Sequence, residues 1–138
     1  MQINHLHLSV TDVVACADFL VEHFDFHLVD VKGNNALAVL RGRHDTVLVL
    51  MRLPAGVDAE TAYPKMFHIG FLVSDPMAVG DKHARLVQHG VRDVSDVQLE
   101  RGALRFYVRI PGGLLVEVGH DPHGLATAPS AGGVAART

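Results

Sequence analysis

The chain has 138 residues, 49% hydrophobic and 20% charged, with a net charge of −3. That is about one domain with room for a core, and its pI near 6.3 supplies no electrostatic footprint for nucleic acid or an anionic membrane. No apolar run exceeds five residues, as at 47–51, too short to span a bilayer, and the single cysteine, Cys16, excludes an internal disulfide. With no apolar leader at the N-terminus, the expected location is cytoplasmic.

Residues 3–10 alternate, with Ile3, His5, His7 and Ser9 on one face and Asn4, Leu6, Leu8 and Val10 on the other. The pattern predicts a half-buried strand whose polar face can line a pocket. Thr11 or Asp12 can cap a following helix, in which Val13, Cys16, Ala17, Leu20, Val21 and Phe24 recur at helical spacing. Strands are predicted over 26–31, 36–41 and 46–53, separated by the turn sequences Lys32-Gly33-Asn34-Asn35 and Gly42-Arg43-His44-Asp45. Residues 54–65, with Pro54, Gly56 and Pro64, read as a linker. The order then restarts with a strand over 66–73. Asp75 is placed as N-cap, Pro76 as first helical residue, and Gly90 as the stop of a helix about one turn longer than the first. Strands over 93–99, 103–110 and 114–119 follow, with Pro111-Gly112-Gly113 as the last turn. Residues 124–138 lack periodicity and are expected to form a mobile tail.

The two halves are related in sequence. His5 and His68, Val10 and Val73, Thr11 and Ser74, and Asp12 and Asp75 all pair at an offset of 63. The fold expected is therefore α+β, two βαβββ modules whose curved mixed sheets surround a cup. One domain over 1–123 would comprise module one at 1–53, the linker, and module two at 66–119.

Three residues with metal-ligand chemistry fall on the faces that would line the cup: His5, His68 and Glu117. Glu117 lies between the apolar residues Val116 and Val118, and a carboxylate so placed is costly to bury unless paired or coordinated. Two imidazoles and a carboxylate can hold one face of a divalent ion and leave positions open. On these residues alone, a metal site and a satisfied core glutamate with two incidental histidines stand level.

Three segments carry a family resemblance: Asn4-His5-Leu6-His7-Leu8-Ser9-Val10-Thr11-Asp12, Phe67-His68-Ile69-Gly70-Phe71-Leu72-Val73, and the closing 106–117 with Pro111-Gly112-Gly113 and Glu117. Over about 2–119 the chain resembles the vicinal oxygen chelate superfamily. That superfamily includes glyoxalase I, extradiol dioxygenases, fosfomycin-resistance thiol transferases and bleomycin-resistance proteins. The resemblance implies that His5, His68 and Glu117 are metal ligands for one divalent ion, with Fe, Mn, Ni and Zn all open.

The departures restrict the match. Glyoxalase I places a fourth ligand, a glutamate, at the position of Val49, and valine cannot coordinate. Extradiol dioxygenases carry a histidine six to eight residues before the aromatic-Tyr pair, where this chain has Gln98, Leu99 and Glu100, and their polar residue before the proline is Ile110 here. Residues 100–104 do not reproduce the potassium loop of the fosfomycin enzymes. His7 shares the face of His5 and can serve as acid/base, as a group orienting a ligand, as a fourth ligand, or as a solvated pocket histidine. Arg105, Tyr107 and Arg109 alternate onto one face. They would bind an anionic substrate and orient a metal-bound oxygen, or lie on a solvated edge. Val47, Val49 and Met51 would make an apolar wall for the substrate. His23, His44, His83, His89, His120 and His123 are assigned to helices and turns as solvated or structural.

The leading expectation is a metal-dependent enzyme acting on a small molecule by dioxygenase-like or glyoxalase-like chemistry, with Tyr107 and His7 as catalytic groups. The alternative is a metal-free protein that sequesters a drug or metabolite. Relatives build the cup within one chain or across a homodimer, and a homodimer is expected here, with no nucleic-acid or membrane partner.

Overall fold

Two four-stranded sheets carry the same strand order, once in each half of the sequence. The computed structural model describes residues 1–122, so the expected tail at 124–138 lies outside the described residues. The first half runs β1 (His5–Val10), α1 (Val13–His23), β2 (His27–Lys32), β3 (Leu37–Arg41), β4 (Val47–Arg52). After a short helix, α2 (Ala59–Ala62), the second runs β5 (His68–Leu72), α3 (Pro76–Gln88), β6 (Gln98–Glu100), β7 (Ala103–Arg109), β8 (Leu115–His120). The sheet orders are β1-β4-β3-β2 and β5-β8-β7-β6, each the image of the other under the duplication. The α+β fold of two βαβββ modules is therefore as expected.

The element starts follow from the residues that cap them. Asp12 Oδ1 accepts the Ala15 N–H at 2.9 Å, and at the equivalent position Asp75 Oδ1 accepts the Met77 N–H at 2.8 Å, with Pro76 following. Each cap satisfies a helical donor that has no partner within its own helix. Helix α3 stops where Gly90 takes a φ of +83°, the left-handed conformation expected for it.

By compactness the described chain divides into two units. The first joins Met1–Ile69 with Val108–Val116, and the second joins Gly70–Tyr107 with the described residues from Glu117 on. In the first unit, α1 packs on β2, β3 and β4. It buries Val13, Cys16, Ala17 and Leu20, and the sheet contributes Leu8, Val10, Ala38, Leu40, Leu48 and Leu50. A buried leucine such as Leu20 contributes about 1.5–3 kcal/mol through removal from water. The turn of the 108–116 hairpin lies against the end of β1. The Thr11 N–H donates to the Gly112 carbonyl at 3.0 Å, and a Cβ at Gly112 would stand 3.0 Å from that of Val10. In the second unit Val79 and Leu86 of α3 are buried, as are Ala103, Phe106 and Val118, and His83 stands edge-on to Phe106 at 5.2 Å.

Five expectations need correction. The segment at 54–65 is not all linker, because Asp58 accepts the Thr61 N–H at 2.7 Å and starts α2. The strand expected at 93–99 shrinks to Gln98–Glu100. Ser95 takes over the pairing upstream of it: its N–H donates to the Tyr107 carbonyl at 2.8 Å, and its Oγ accepts the Tyr107 N–H at 2.9 Å. Helix α3 has 13 residues against 11 in α1, about half a turn more. His120, expected on a helix or turn, ends β8, and Val21 is 41% exposed and outside the core. No described helix is long and apolar enough to cross a membrane.

Candidate functional site

Strands β1 and β4 lie parallel and in register, with His5 beside Val47, His7 beside Val49 and Ser9 beside Met51. Alternation buries Leu8 and Val10 on one face of the sheet, so the two histidines share the opposite face. On β3, Val39 beside Val49 and Leu37 beside Met51 extend that face. The result is an apolar surface with imidazoles along one edge, as the alternation of residues 3–10 and 46–53 predicts. His5 and His7 are both exposed.

The ring nitrogens of the two strand-opening histidines are polarised alike. The Nδ1 of His5 meets the Asn4 Oδ1 at 3.0 Å, and the Nδ1 of His68 meets the Met66 carbonyl at 2.8 Å. An amide or carbonyl oxygen only accepts, so in each bond Nδ1–H is the donor, which in a neutral ring is the Nδ1–H tautomer. That tautomer suits a metal ligand, whose second nitrogen is commonly held by an oxygen. Among the described residues no group of three His, Cys, Asp or Glu side chains is gathered closely enough to hold a metal ion.

In the second unit Glu117 is the centre of a polar cluster. Its side chain is 15% exposed, and its Oε2 accepts the Tyr107 hydroxyl at 2.7 Å and lies 3.6 Å from an Arg105 terminal nitrogen. The hydrogen bond to Glu117, and after it burial, raises the Tyr107 pKa above its ordinary value of 10. The phenol is therefore a donor throughout the neutral range. Its interaction with Tyr107, outweighing burial, and then the charge of Glu117 raise the Arg105 pKa in turn. Among the described residues the buried Arg105 Nε has no hydrogen-bond partner, and a Glu100 carboxylate oxygen is 3.8 Å away.

Arg109 is held in the first unit, where a terminal nitrogen donates to the Gly113 carbonyl at 2.8 Å. It lines a cleft of about 330 Å³ with Tyr63, Lys65, Phe67, Leu114 and Leu115 among its other walls. The sequence reading missed this cleft, because most of one wall comes from residues taken as linker. Tyr63 fixes that segment: its hydroxyl accepts the Ser9 N–H at 2.6 Å and donates to the Ser9 carbonyl at 3.0 Å. Its ring stacks on Phe67 at 4.5 Å, with 8° between the planes. The only signal in sequence was the aromatic pair Tyr63 and Phe67 around Pro64 and Lys65.

The comparisons with known proteins agree with this architecture. The model of the Glyoxalase/Bleomycin resistance protein/Dioxygenase superfamily matches residues 2–118. A possible glyoxalase from Bacillus cereus is similar at 37% identity and a TM-score of 0.74, over 86% of this chain and 97% of that one. Two more distant structures share the fold. Lactoylglutathione lyase from Agrobacterium tumefaciens has 23% identity and a TM-score of 0.68, over 86% of this chain and 92% of its own. A glyoxalase/dioxygenase from Nostoc punctiforme has 18% identity and a TM-score of 0.69, over 88% and 91%. No protein of curated function matches the sequence. The chain belongs to the Glyoxalase/Bleomycin resistance protein/Dioxygenase superfamily.

Proposed function

We propose that this member of the superfamily is a metal-dependent enzyme acting on a small molecule with two adjacent oxygens. The observation that carries the proposal is that an oxygen holds Nδ1 of the histidine opening the equivalent strand of each module, Asn4 Oδ1 at His5 and the Met66 carbonyl at His68. With Glu117 they make a donor set of two imidazoles and one carboxylate, which suits Fe(II), Mn(II), Ni(II) or Zn(II) and leaves coordination positions open. A divalent ion held there would supply Lewis-acid polarisation of the substrate oxygens.

The side chains divide the remaining work. Asn4 and the Met66 carbonyl keep the two imidazoles in the required tautomer. Tyr107 and Arg105 fix the Glu117 carboxylate, and Tyr107 holds its proton at the phenolic oxygen. His7, beside Val49 and two residues from His5, is the group available to take or give a proton. Val49 and Met51 contact the body of the substrate. Valine at position 49 leaves the first module without a carboxylate at the position equivalent to Glu117, which argues for three protein ligands and for dioxygenase-like over glyoxalase-like chemistry.

A second copy of the chain is proposed to complete the site, with His5 from one copy and His68 and Glu117 from the other. The open histidine face of the first sheet, with apolar Val47, Val49 and Met51 beside it, supports an arrangement of that kind. Metal content that falls on dilution into monomers would bear this out, and full occupancy in a monomer would overturn it.

One observation favours a second reading, a metal-free protein that sequesters a drug or metabolite. Glu117 already has the Tyr107 hydroxyl and the Arg105 guanidinium beside it without a metal ion. Metal analysis after loading with each candidate ion decides between the two. About one ion per site in the native chain, lost in His68→Ala, is expected. No stoichiometric metal with any ion sinks the enzyme reading.

A further inference from the structure

The cleft beside α2 has a composition that the metal site does not explain. Its charged walls are Lys65, Arg109 and Glu60, two cations against one carboxylate. Lys65 has neither an ion pair nor a hydrogen bond among the described residues. Arg109, also part of the lining, is held in place by the Gly113 carbonyl. The stacked Tyr63 and Phe67 give the cleft a flat aromatic side, while Ala59, Leu114 and Leu115 line it with apolar surface.

The cleft is also built rather than accidental. Tyr63 is pinned through both backbone groups of Ser9, and Gly113 faces Ala59 so closely that a Cβ there would stand 2.5 Å from the alanine Cβ. A fixed aromatic wall and an arginine held by a backbone carbonyl are surroundings in which a planar organic anion loses little freedom on binding. A volume of about 330 Å³ admits one aromatic ring and its substituents. Phe67 immediately precedes His68 in the chain, so the cleft adjoins a proposed ligand in sequence.

We infer that this cleft recognises a planar aromatic carboxylate portion of the substrate, its ring against Tyr63 and Phe67 and its charge toward Lys65 and Arg109. This assignment of substrate class rests on the enzyme reading above. Benzoate is the probe, with benzamide as the neutral isostere and acetate as the anion without a ring. Each is titrated calorimetrically into the chelator-treated full chain, where coordination to a metal plays no part. Benzoate should bind about tenfold more tightly than either control, the preference that one exposed charge and one stacked ring supply. Lys65→Met should remove most of the preference for benzoate over benzamide and leave benzamide binding as it was. Phe67→Leu should weaken benzoate and benzamide together. Both substitutions are at exposed positions, and circular dichroism verifies that the variants are folded. Equal binding of benzoate and benzamide, an unchanged ratio in Lys65→Met, or no benzoate binding at millimolar concentration overturns the inference. Those results leave metal uptake untouched. Failure of metal uptake alongside selective benzoate binding would overturn the enzyme reading alone.

Discussion

Replacing Tyr107 by phenylalanine removes one oxygen and tests what the Glu117 carboxylate is held for. The phenol donates to Glu117 Oε2 at 2.7 Å, a charged acceptor that is 15% exposed. A hydrogen bond to a charged group contributes about 1.5–3 kcal/mol. Arg105 stays 3.6 Å from the same oxygen in the variant and can close on it. The expected loss is therefore in the lower part of that range, about 1.5–2 kcal/mol. Urea unfolding of the metal-free protein measures it, together with Glu117→Gln and the double variant as a cycle. The midpoint should fall with an unchanged slope, and the coupling between the two sites should exceed about 1 kcal/mol. A metal arm separates the roles. If Glu117 is a ligand, losing the group that orients it weakens metal binding about 10–100-fold. Destabilisation with metal affinity intact would mean that the carboxylate is kept for its protein partners. A Tyr107→Phe variant as stable as the native chain, uncoupled from Glu117→Gln, would refute the account of the cluster.

Three further outcomes follow from the same geometry. Gly113 combines a φ of +92° with the close approach to Ala59, so Gly113→Ala should cost more than about 1 kcal/mol and reduce benzoate binding, read by unfolding and calorimetry. Burial, and after it the charge of Asp12, pushes the Cys16 thiol up to about 12, so only about 10⁻⁴ of it is ionised at pH 8, and a thiol reagent should label it only after unfolding. The Tyr107 pKa is raised in the fold, so its protonated phenol contributes stability that is complete below the unfolded value near 10 and lost as pH rises through the folded value. Absorbance titration in a Tyr63→Phe background should show that midpoint above 10 and a fall when Glu117→Gln is added, and an unmoved midpoint would contradict the assignment.

The parts of the fold written in local chemistry were legible in the sequence. Alternation separated His5 and His7 from Leu8 and Val10, and the aspartates at 12 and 75 marked both helix starts. What escaped depends on partners distant in the chain. Ser95 replaces ladder pairing with its own side chain against Tyr107, which a β-rich composition at 93–99 does not disclose. Tyr63 acts through Ser9, 54 residues away, and no periodicity records such a bond. The sequence placed Arg105, Tyr107 and Arg109 on one face by alternation. It could not show that Arg105 and Tyr107 meet Glu117 while Arg109 turns to the Gly113 carbonyl.

The strand order adds a physical reason for where the histidines are. β1 and β5 each end their sheet, so His5, His7 and His68 all stand on edge strands. An edge leaves a row of backbone donors and acceptors that invites another strand. In β1 that invitation is limited at one point, since the Tyr63 hydroxyl occupies both the N–H and the carbonyl of Ser9. The portion toward His5 and His7 is exposed. A strand pairs on one side only at such an edge, whereas the same residues on β3 would be flanked by strands on both sides. The duplication therefore does more than repeat a fold: it puts one reachable histidine strand at the edge of each sheet. Val49 and Glu117 then make the copies unequal, so any carboxylate contributed by this pair of positions comes from the second module.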